Sequence, residues 1–361
     1  MKALCRHFGT CGGCAFQDLS ADAYRERKRV MVTKALARHG VEAPVAPVAD
    51  VAPGTRMRAT VKGAKRGAAV LLGFNAAGSH AIVDMQECFV LTPALVSLLP
   101  ALRGLLARLL GDGEEGEASL TETDSGIDIA LGLPAKDIAR QAAVLAQWAE
   151  RHGVARIAVN GETAVQLADA KRQFGGTDVL LPVDAFLQPS LEGERILQDA
   201  VLDIVRGARR IGDLFAGCGT FALALARHAS VHAVDSDAWS LEALGNAARS
   251  TQGLKPVTTE ARELFKRPLR PEELNLFDAV VIDPPRAGAR AQVEMIASSR
   301  VGRIAYVSCN PESFAPDAAI LIKGGLRLAQ VKPVDQFLWS KHIELVGTFE
   351  RQSRWSQRRK N

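Results

Sequence analysis

The chain reads Ile211-Gly-Asp-Leu-Phe-Ala-Gly-Cys-Gly-Thr-Phe221 at the start of its C-terminal part, a pattern typical of a strand, a tight turn and a helix. Gly217 and Gly219 allow the backbone to approach a ligand closely, where a Cβ atom would collide. Asp235 ends the next predicted strand, where a carboxylate can accept hydrogen bonds from two ribose hydroxyls. The glycines are spaced GxG, and Ala222 stands where a dinucleotide site has its third glycine. This spacing favours a cofactor without phosphates, such as S-adenosylmethionine, over a dinucleotide.

Strands and helices alternate through this part of the chain. The predicted strands are Arg210–Phe215, Val231–Asp235, Phe277–Ile282 and Arg303–Ser308, and the predicted helices are Thr220–Arg227 and Ala238–Ser250. The alternation predicts an α/β fold with a parallel, doubly wound sheet, forming a Rossmann-like domain over residues 183–361. Ligands of such sheets bind at the carboxyl ends of the strands, which is where the motifs below fall.

The N-terminal part has a different pattern. A basic helix is predicted from Ser20, its N-cap, to about His39, and it carries Arg25, Arg27, Lys28 and Arg29. Further strands are predicted at Arg58–Lys62, Ala68–Phe74, His80–Asp84, twice within Ser119–Leu131, and at Val154–Val159 and Ala164–Leu167; further helices are predicted at Thr92–Leu110 and Ala135–His152. Short strands separated by glycine turns predict a β-rich central domain over residues 48–182.

Composition and charge are those of an ordinary soluble protein. Of 361 residues, 47% are hydrophobic and 24% are charged, and the formal net charge is +5. This excess of cations is compatible with a polyanionic partner, although many enzymes of small molecules are equally basic. No apolar run reaches the roughly 18 residues that a membrane-spanning helix needs, and no signal peptide precedes the first cysteine. The sequence predicts a cytoplasmic protein whose clustered cysteines hold metal or do chemistry.

Two short motifs end two of the predicted strands. Asp283-Pro-Pro-Arg286 stops the first, because proline has no amide to give to a sheet, and Ser308-Cys-Asn-Pro311 ends the second. A cysteine at the carboxyl end of a strand faces the cleft, so Cys309 is a candidate nucleophile, which must then be at least partly thiolate. The alternative is a small buried hydrophobic residue. Asp-Pro-Pro also opens the loops of amine methyltransferases, but these usually finish on an aromatic residue where Arg286 stands here.

A thiol beside a methyl donor suggests alkylation of a pyrimidine carbon. C5 of uracil is a poor nucleophile until a thiolate adds to C6 and makes an enolate. The C5 proton must then be removed by a general base before the thiol can leave. The candidates are His342 and Glu344, which alternation predicts on the same face of one strand. Position alone does not choose between them.

Four cysteines form a possible metal site. Cys5, Cys11 and Cys14 are close in sequence, Cys88 lies far downstream, and Gly9, Gly12 and Gly13 supply tight turns. The set suits zinc or an iron–sulfur cluster. Structural zinc sites usually pair two CxxC couples, so the single couple here favours a cubane cluster with a structural role, over residues 1–47 and 80–92. Cys218 is interpreted as a bystander.

Taken together, these motifs resemble the RNA uracil-5 methyltransferase family over essentially the whole chain. The resemblance implies a class I methyltransferase domain, an N-terminal 4Fe–4S segment held by Cys5, Cys11, Cys14 and Cys88, Cys309 as nucleophile and Glu344 as proton acceptor. Phe186-Leu-Gln188 matches the family's Phe-x-Gln. The implied cofactor-binding residues are Gln188, Phe215, Gly217, Gly219, Thr220, Asp235 and Asp283. Thr220 and Asp235 replace a common asparagine and a common glutamate, and Pro189-Ser190 stand where asparagine is frequent.

The cysteines resemble the ribosomal branch of the family, in the subset without an N-terminal OB-fold domain. The implied function is S-adenosylmethionine-dependent methylation of uracil C5 in 23S ribosomal RNA by a monomer. RNA would be bound by the basic helix, by Arg56, Arg58, Lys62, Lys65 and Arg66, and by the tail from Arg351. The alternatives are the same reaction on transfer RNA, a non-catalytic iron–sulfur RNA-binding protein, and a zinc-containing amine methyltransferase.

Overall fold

The computed structural model describes residues 3–134 and 141–351. In chain order the helices and strands of these residues are α1 (Ala21–Arg38), β1 (Ala49–Asp50), β2 (Arg58–Arg66), β3 (Ala69–Gly73), α2 (Pro93–Leu109), β4 (Glu115–Thr123), β5 (Gly126–Gly132), α3 (Ala142–Arg151), β6 (Val154–Val159), β7 (Glu162–Gln166), β8 (Lys171–Phe174), β9 (Thr177–Leu180), α4 (Leu191–Ile204), β10 (Arg210–Leu214), α5 (Ala222–Leu225), β11 (Ser230–Asp235), α6 (Ala238–Ser250), β12 (Val257–Ala261), α7 (Pro271–Leu274), β13 (Ala279–Ile282), α8 (Arg290–Ser298), β14 (Arg303–Ser308), α9 (Pro311–Lys323), β15 (Leu326–Asp335) and β16 (Glu344–Arg351). The strands form sheets of eight, six and two strands.

The eight-stranded sheet has the order β1-β15-β16-β14-β13-β10-β11-β12. Its pairs β10–β11, β10–β13, β11–β12 and β13–β14 are parallel, as the alternating pattern predicts. The prediction of a parallel sheet does not hold at β16, which runs antiparallel to β14 and β15. The connection from β15 to β16 has no helix to carry the chain back across the sheet, as a parallel neighbour would require. The reversal places Leu345 opposite Ser308, so the start of β16 meets the end of β14.

Helices cover both faces of this sheet, which is why its central strands, such as β13, are apolar without alternation. All four residues of β13 are buried. One face packs against α4, α5 and α6 through residues such as Leu197, Leu223 and Leu244. The other packs against α1, α8 and α9 through residues such as Leu36, Ile296 and Phe314. No helix in the described ranges is long and apolar enough to span a membrane.

The first helix and strand belong to this C-terminal layer, although the sequence analysis places them with the cysteine segment and the central domain. Ser20 caps α1 by accepting a hydrogen bond from the amide of Ala23. Val32 and Leu36 of α1 lie in the same core cluster as β15. Strand β1 pairs parallel with β15, with Ala49 opposite Val334. The apolar face of α1 is buried because the sheet supplies a surface that the short cysteine segment does not have.

The central sheet has the order β3-β2-β4-β5-β6-β7 and is covered by α2 and α3. The helix predicted over Ala135–His152 begins at Ala142, and residues 135–140 lie outside the described residues. The predicted strand His80–Asp84 does not form as a regular strand. The run is joined to residues 74–76 by an isolated bridge between Asn75 and Ile82 and by backbone hydrogen bonds from Ala76 N to Ala81 O and from Val83 N to Phe74 O. The hairpin of β8 and β9 forms the separate two-stranded sheet that precedes the C-terminal domain.

Candidate active site

The ends of four neighbouring strands meet along one edge of the eight-stranded sheet. Strands β10, β13 and β14 are followed at once by Phe215, Asp283 and Cys309, and β11 ends on Asp235. Because these strands are parallel, their carboxyl ends lie on the same edge. Glu344, the first residue of the reversed strand β16, joins them from the opposite direction.

The glycine loop after β10 has an unusual backbone. Phe215, Gly217 and Gly219 all have positive φ angles, of 62°, 51° and 96°. A Cβ atom on Gly219 would lie 2.4 Å from Leu244 Cδ1, whereas one on Gly217 would meet no described atom within 4 Å. The amide of Gly217 donates a 2.9 Å hydrogen bond to Asp235 Oδ2. Gly219 is therefore required by packing, and Gly217 borders open space beside a carboxylate.

Aromatic and polar groups complete the surroundings of this loop. The ring of Phe215 lies 5.5 Å from that of Phe265, centre to centre, and Phe265 is 44% exposed. Thr220 is half-buried, and its carbonyl accepts a 2.8 Å hydrogen bond from Gln198 Nε2. Phe265 follows β12 without any motif, so the sequence analysis missed it.

A chain of hydrogen bonds joins three of the predicted site residues. Gln188 Nε2 donates to Asp283 Oδ2 at 3.2 Å. Gln336 Nε2 donates both to Gln188 Oε1 at 2.7 Å and to Glu344 Oε2 at 2.9 Å. Gln188, Gln336 and Glu344 are all buried. Gln336 was missed by the sequence analysis, although it is the residue that links the Phe-x-Gln motif to Glu344.

The two carboxyl groups of this network titrate near neutral pH. Burial, and after it the charge of the nearby Asp283, raises the pKa of Glu344 to about 8, while the hydrogen bond from Gln336 opposes the rise. Burial also raises the pKa of Asp283 to about 7, against the opposing effect of the hydrogen bond from Gln188. Two acids that interact this closely share protons as a pair. Glu344 is therefore mostly protonated at pH 7 and becomes a base as the pH rises through about 8.

Cys309 lies half-buried beside these acids. Burial raises the pKa of its thiol to about 11, the charges of Glu344 and Asp283 add to the rise, and Arg286 opposes it. The next residue, Asn310, is the N-cap of α9 and accepts a 3.2 Å hydrogen bond from the amide of Glu312. A helix N-terminus favours a nearby thiolate. In the free protein the surroundings of Cys309 therefore favour the thiol over the thiolate. Two groups next to it, the guanidinium of Arg286 and the N-terminus of α9, favour the thiolate.

The rate at which Cys309 is alkylated should report this balance. We expect iodoacetamide to modify Cys309 slowly near pH 7 and faster at higher pH, because the thiolate fraction grows about tenfold per pH unit below the pKa. At pH 9 the Glu344→Gln variant should react several-fold faster, roughly tenfold at most, since one negative neighbour has been removed. Mass spectrometry of the Cys309 peptide measures the rate, and the buried Cys218 provides an internal reference. Equal rates in the two proteins would contradict the described electrostatics.

His342 is placed differently from its predicted position. The residue precedes β16, which begins at Glu344, so the two side chains do not alternate on one strand. Nδ1 of the half-buried His342 accepts a 3.0 Å hydrogen bond from Arg286 Nη1. Burial and then the charge of Arg286 lower the pKa of His342. The structure thus associates His342 with Arg286, and Glu344 with the glutamine network.

Asp213, the penultimate residue of β10, is a further buried acid, and no motif in the sequence marks it as a site residue. Its side chain is completely buried, and neither carboxyl oxygen has a hydrogen-bond partner in the described part of the chain. Burial, followed by the charge of Asp283, raises its pKa well above the usual range. The neutral form of Asp213 is therefore favoured beneath the glycine loop.

Three cysteines of the N-terminal segment lie near Cys88. Cys5, Cys11, Cys14 and Cys88 are partly buried free thiols. Burial raises the pKa of Cys14 to about 12, and the other three thiols are among the further causes. The amides of His7 and Gly13 donate to Cys5 Sγ and Cys11 Sγ, each at 3.4 Å. Within residues 3–134 and 141–351, no three histidine, cysteine or acidic side chains converge on a site for one metal ion.

Comparison with known proteins places the chain in a family. A family model described as tRNA (Uracil-5-)-methyltransferase matches residues 179–352. An uncharacterized RNA methyltransferase of Rhizobium meliloti is 45% identical over 354 residues, which cover 96% of this chain and 85% of that protein. A 23S rRNA (uracil(1939)-C(5))-methyltransferase of Halomonas elongata is 33% identical over 371 residues, which cover 96% of this chain and 76% of that protein.

Among solved structures, the tRNA (uracil-54, C5)-methyltransferase of Pyrococcus abyssi in complex with S-adenosyl-L-homocysteine superposes with a TM-score of 0.73. It is 23% identical, and the match covers 93% of this chain and 85% of that chain, which establishes the shared fold. The relatives, the family model and this fold agree with the motifs along the sheet edge. The chain belongs to the RNA uracil-5 methyltransferase family.

Proposed function

We propose that this protein methylates C5 of a uridine in 23S ribosomal RNA, using S-adenosylmethionine and a covalent bond between Cys309 and C6 of the base. The observation that carries the proposal is the position of Glu344. Its carboxyl group, with a pKa raised by burial to about 8, starts a reversed strand beside the end of β14, where Cys309 lies. A nucleophile and a base are thereby brought to the same sheet edge as the glycine loop.

A residue of the site can be assigned to each step of the proposed methyl transfer. Cys309 loses its proton to solvent, and its thiolate forms a bond to C6 while the C5–C6 π electrons form an enolate. When bound, S-adenosylmethionine would supply the electrophilic methyl carbon that C5 attacks, with the electrons of the broken C–S bond remaining on the sulfur of S-adenosylhomocysteine. Glu344 then takes the C5 proton, and the electrons of that C–H bond restore the double bond and expel the Cys309 thiolate. Gln188 and Asp283 orient the base and the methyl donor.

The residues of the loop fit a nucleoside cofactor. Gly217 borders open space, the Phe215–Phe265 pair offers an apolar wall, and Asp235 presents a carboxylate at the end of β11. We propose that Gln188, Phe215, Gly217, Gly219, Thr220, Asp235 and Asp283 hold S-adenosylmethionine. No phosphate-binding third glycine is needed for this ligand.

Substitution of each loop glycine by alanine should distinguish an effect on protein stability from an effect on cofactor affinity. Gly219→Ala should destabilise the protein by about 3 kcal/mol, because the new Cβ collides with Leu244 at a strained φ. Gly217→Ala should cost only about 1 kcal/mol, for a left-handed residue. The Gly217 variant should instead lose cofactor affinity, since its methyl group projects into the open space. Chemical denaturation and calorimetric titration with S-adenosylhomocysteine measure the two effects; the opposite ranking would contradict the placement of the loop.

RNA contact near the site is proposed for Arg58, which is partly exposed and ion-paired with Asp184, and for the exposed ring of Phe186. Arg58 lies 5.5 Å from the centre of the Phe186 ring, and Phe186 is 67% exposed beside Gln188. The predicted contribution of Lys28 is wrong, because its side chain is completely buried. Lys65 is also engaged internally, since its ammonium donates to the carbonyls of Ala107 and Leu110. The tail beyond Arg351 lies outside the described residues.

The ribosomal target is supported by the Halomonas elongata relative, whereas the family model and the Pyrococcus abyssi structure carry tRNA in their descriptions. The deciding experiment maps 5-methyluridine in 23S ribosomal RNA and in transfer RNA, from cells with the gene, without it, and with the Cys309→Ala variant. Loss of one ribosomal site in the last two strains supports the proposal. Loss confined to transfer RNA would overturn the target, and no loss would overturn the function.

We also propose that Cys5, Cys11, Cys14 and Cys88 hold a structural 4Fe–4S cluster. A cubane uses one thiolate on each of four irons, so its ligands need not meet at the single point that zinc requires. Cys11 forms a β-bridge with Ala76, and Gly12 N donates to Asn75 O at 2.9 Å, which docks the segment on the loop that follows β3. Iron should be lost in Cys14→Ser and kept in the Cys218→Ala control. Stoichiometric zinc in anaerobically purified protein would contradict the cluster.

A further inference from the structure

A buried cation in α1 holds the connection that leads into Glu344. The connection comprises residues 336–343, between β15 and β16. The ammonium group of Lys28 is completely buried and donates to Asp335 Oδ1 at 2.7 Å, to the carbonyl of Phe337 at 3.2 Å and to the carbonyl of His342. A single ammonium group therefore binds both ends of the connection.

A tyrosine one turn earlier on α1 binds the same connection. The hydroxyl of Tyr24 donates to Asp335 Oδ2 and accepts a 2.6 Å hydrogen bond from the amide of Trp339. Trp339 has a positive φ of 57° and lies at the tip of the connection. Its carbonyl accepts from the amides of Ala15 and Phe16, at 2.7 and 3.1 Å. We name Tyr24, Lys28 and Asp335 the clamp.

The connection held by the clamp carries the polar groups of the site. Gln336 follows Asp335 directly and bonds to both Gln188 and Glu344. At the other end, Glu344 follows two residues after His342, whose carbonyl Lys28 binds. Any movement of the connection would therefore displace the carboxyl group of Glu344 while leaving Cys309 and the glycine loop on their own strands.

A buried ion pair is seldom needed for stability alone, because an apolar pair of similar volume usually serves as well. Here the ammonium group of Lys28 instead donates hydrogen bonds to one carboxylate and two carbonyls, at both ends of a single connection. This geometry is suited to holding the connection in one position. We propose that Tyr24 and Lys28 are positioning residues for Glu344, an inference that rests on the proposed role of Glu344 as the base. The clamp makes removal of the C5 proton, rather than methyl transfer, depend on α1.

The test uses variants that loosen the clamp without leaving an unpaired buried charge. Lys28→Met combined with Asp335→Asn removes both charges, and Tyr24→Phe removes only a hydroxyl group. We expect turnover of uridine-containing RNA to fall roughly 100-fold in the double variant, as for a misplaced catalytic group, and about tenfold in Tyr24→Phe. Lys34→Met, an exposed change of the same chemistry on α1, should behave as the wild type.

The diagnostic readout is the covalent complex between protein and methylated RNA on a denaturing gel. A merely structural defect would lower adduct formation and cofactor affinity together. A displaced base should instead make the adduct accumulate, with unchanged affinity for S-adenosylhomocysteine. If the double variant does not fold, the test rests on Tyr24→Phe. The proposal would be overturned if the fraction of Tyr24→Phe protein attached to RNA equals that of the wild type. Wild-type protein that never methylates uridine would overturn the proposed function itself, whereas active wild type with unaffected clamp variants overturns only this inference.

Discussion

Cys309→Ala is expected to reduce methylation of uridine by roughly 10⁴-fold or more, as removal of a covalent nucleophile generally does. Without the sulfur atom no bond forms to C6, and C5 of the pyrimidine stays too electron-poor to attack a methyl group. The measurement is incorporation of labelled methyl groups into unmodified RNA under single-turnover conditions. Cys309→Ser should be nearly as inactive, since a serine hydroxyl is far less acidic than a thiol.

The control for this prediction is binding rather than activity. Cys309 is only half-buried and follows β14 outside the sheet, so alanine leaves neither a large cavity nor an unpaired polar group. Affinity for S-adenosylhomocysteine and the midpoint of denaturation should remain those of the wild type. A folded Cys309→Ala protein with normal turnover would remove the covalent mechanism.

Glu344→Gln is expected to lower turnover by roughly 10³-fold and to leave protein covalently attached to RNA, as expected when a general base is lost. The thiolate can still add to C6 and C5 can still be methylated, but the C5 proton then has no acceptor. In the wild type, resolution of the adduct should accelerate as the pH rises toward about 8, because the pKa of Glu344 is raised by burial and only its carboxylate accepts a proton. The glutamine variant should lack this dependence.

Glu350→Gln is the matched control on the same strand. Glu350 lies near the other end of β16, half-exposed, in an ion pair with Arg327 at 2.7 Å. Surface pairs of this kind contribute little, so this variant should turn over normally and trap no RNA. Absence of a trapped complex in Glu344→Gln, with the wild type active, would contradict the assignment of the base.

Much of the sheet edge could be predicted because the rule behind it is local. Glycine spacing and paired prolines mark where strands end, and parallel strands end on the same side. Asp235, Asp283 and Cys309 are placed by this reasoning, whereas Phe215 was selected through the family resemblance. Gln188 came from the family resemblance, which also chose Glu344 over His342 as the base. The hydrogen bonds that Gln188 and Glu344 make through Gln336 depend on contacts between distant parts of the chain.

Other features of the fold and the site could not be predicted from the sequence, for physical reasons. Charge is visible in a sequence but burial is not, so Lys28 was assigned to an RNA-binding surface although it lies in the core. Strand direction is likewise invisible, because the buried first half of β16 would look the same in a parallel sheet. His342 and Glu344 were placed on one strand for a related reason, since alternation does not show where a strand begins.

The pairing of β1 with β15 has a consequence for how the polypeptide is made. Ala49 is hydrogen-bonded in register with Val334, and α1 buries Val32 and Leu36 against a layer that includes β15. During synthesis these early segments have no partner until nearly the whole chain has left the ribosome. Such distant pairings slow folding and leave apolar surface uncovered meanwhile. A nascent chain truncated before β15 should consequently bind holding chaperones through its first helix.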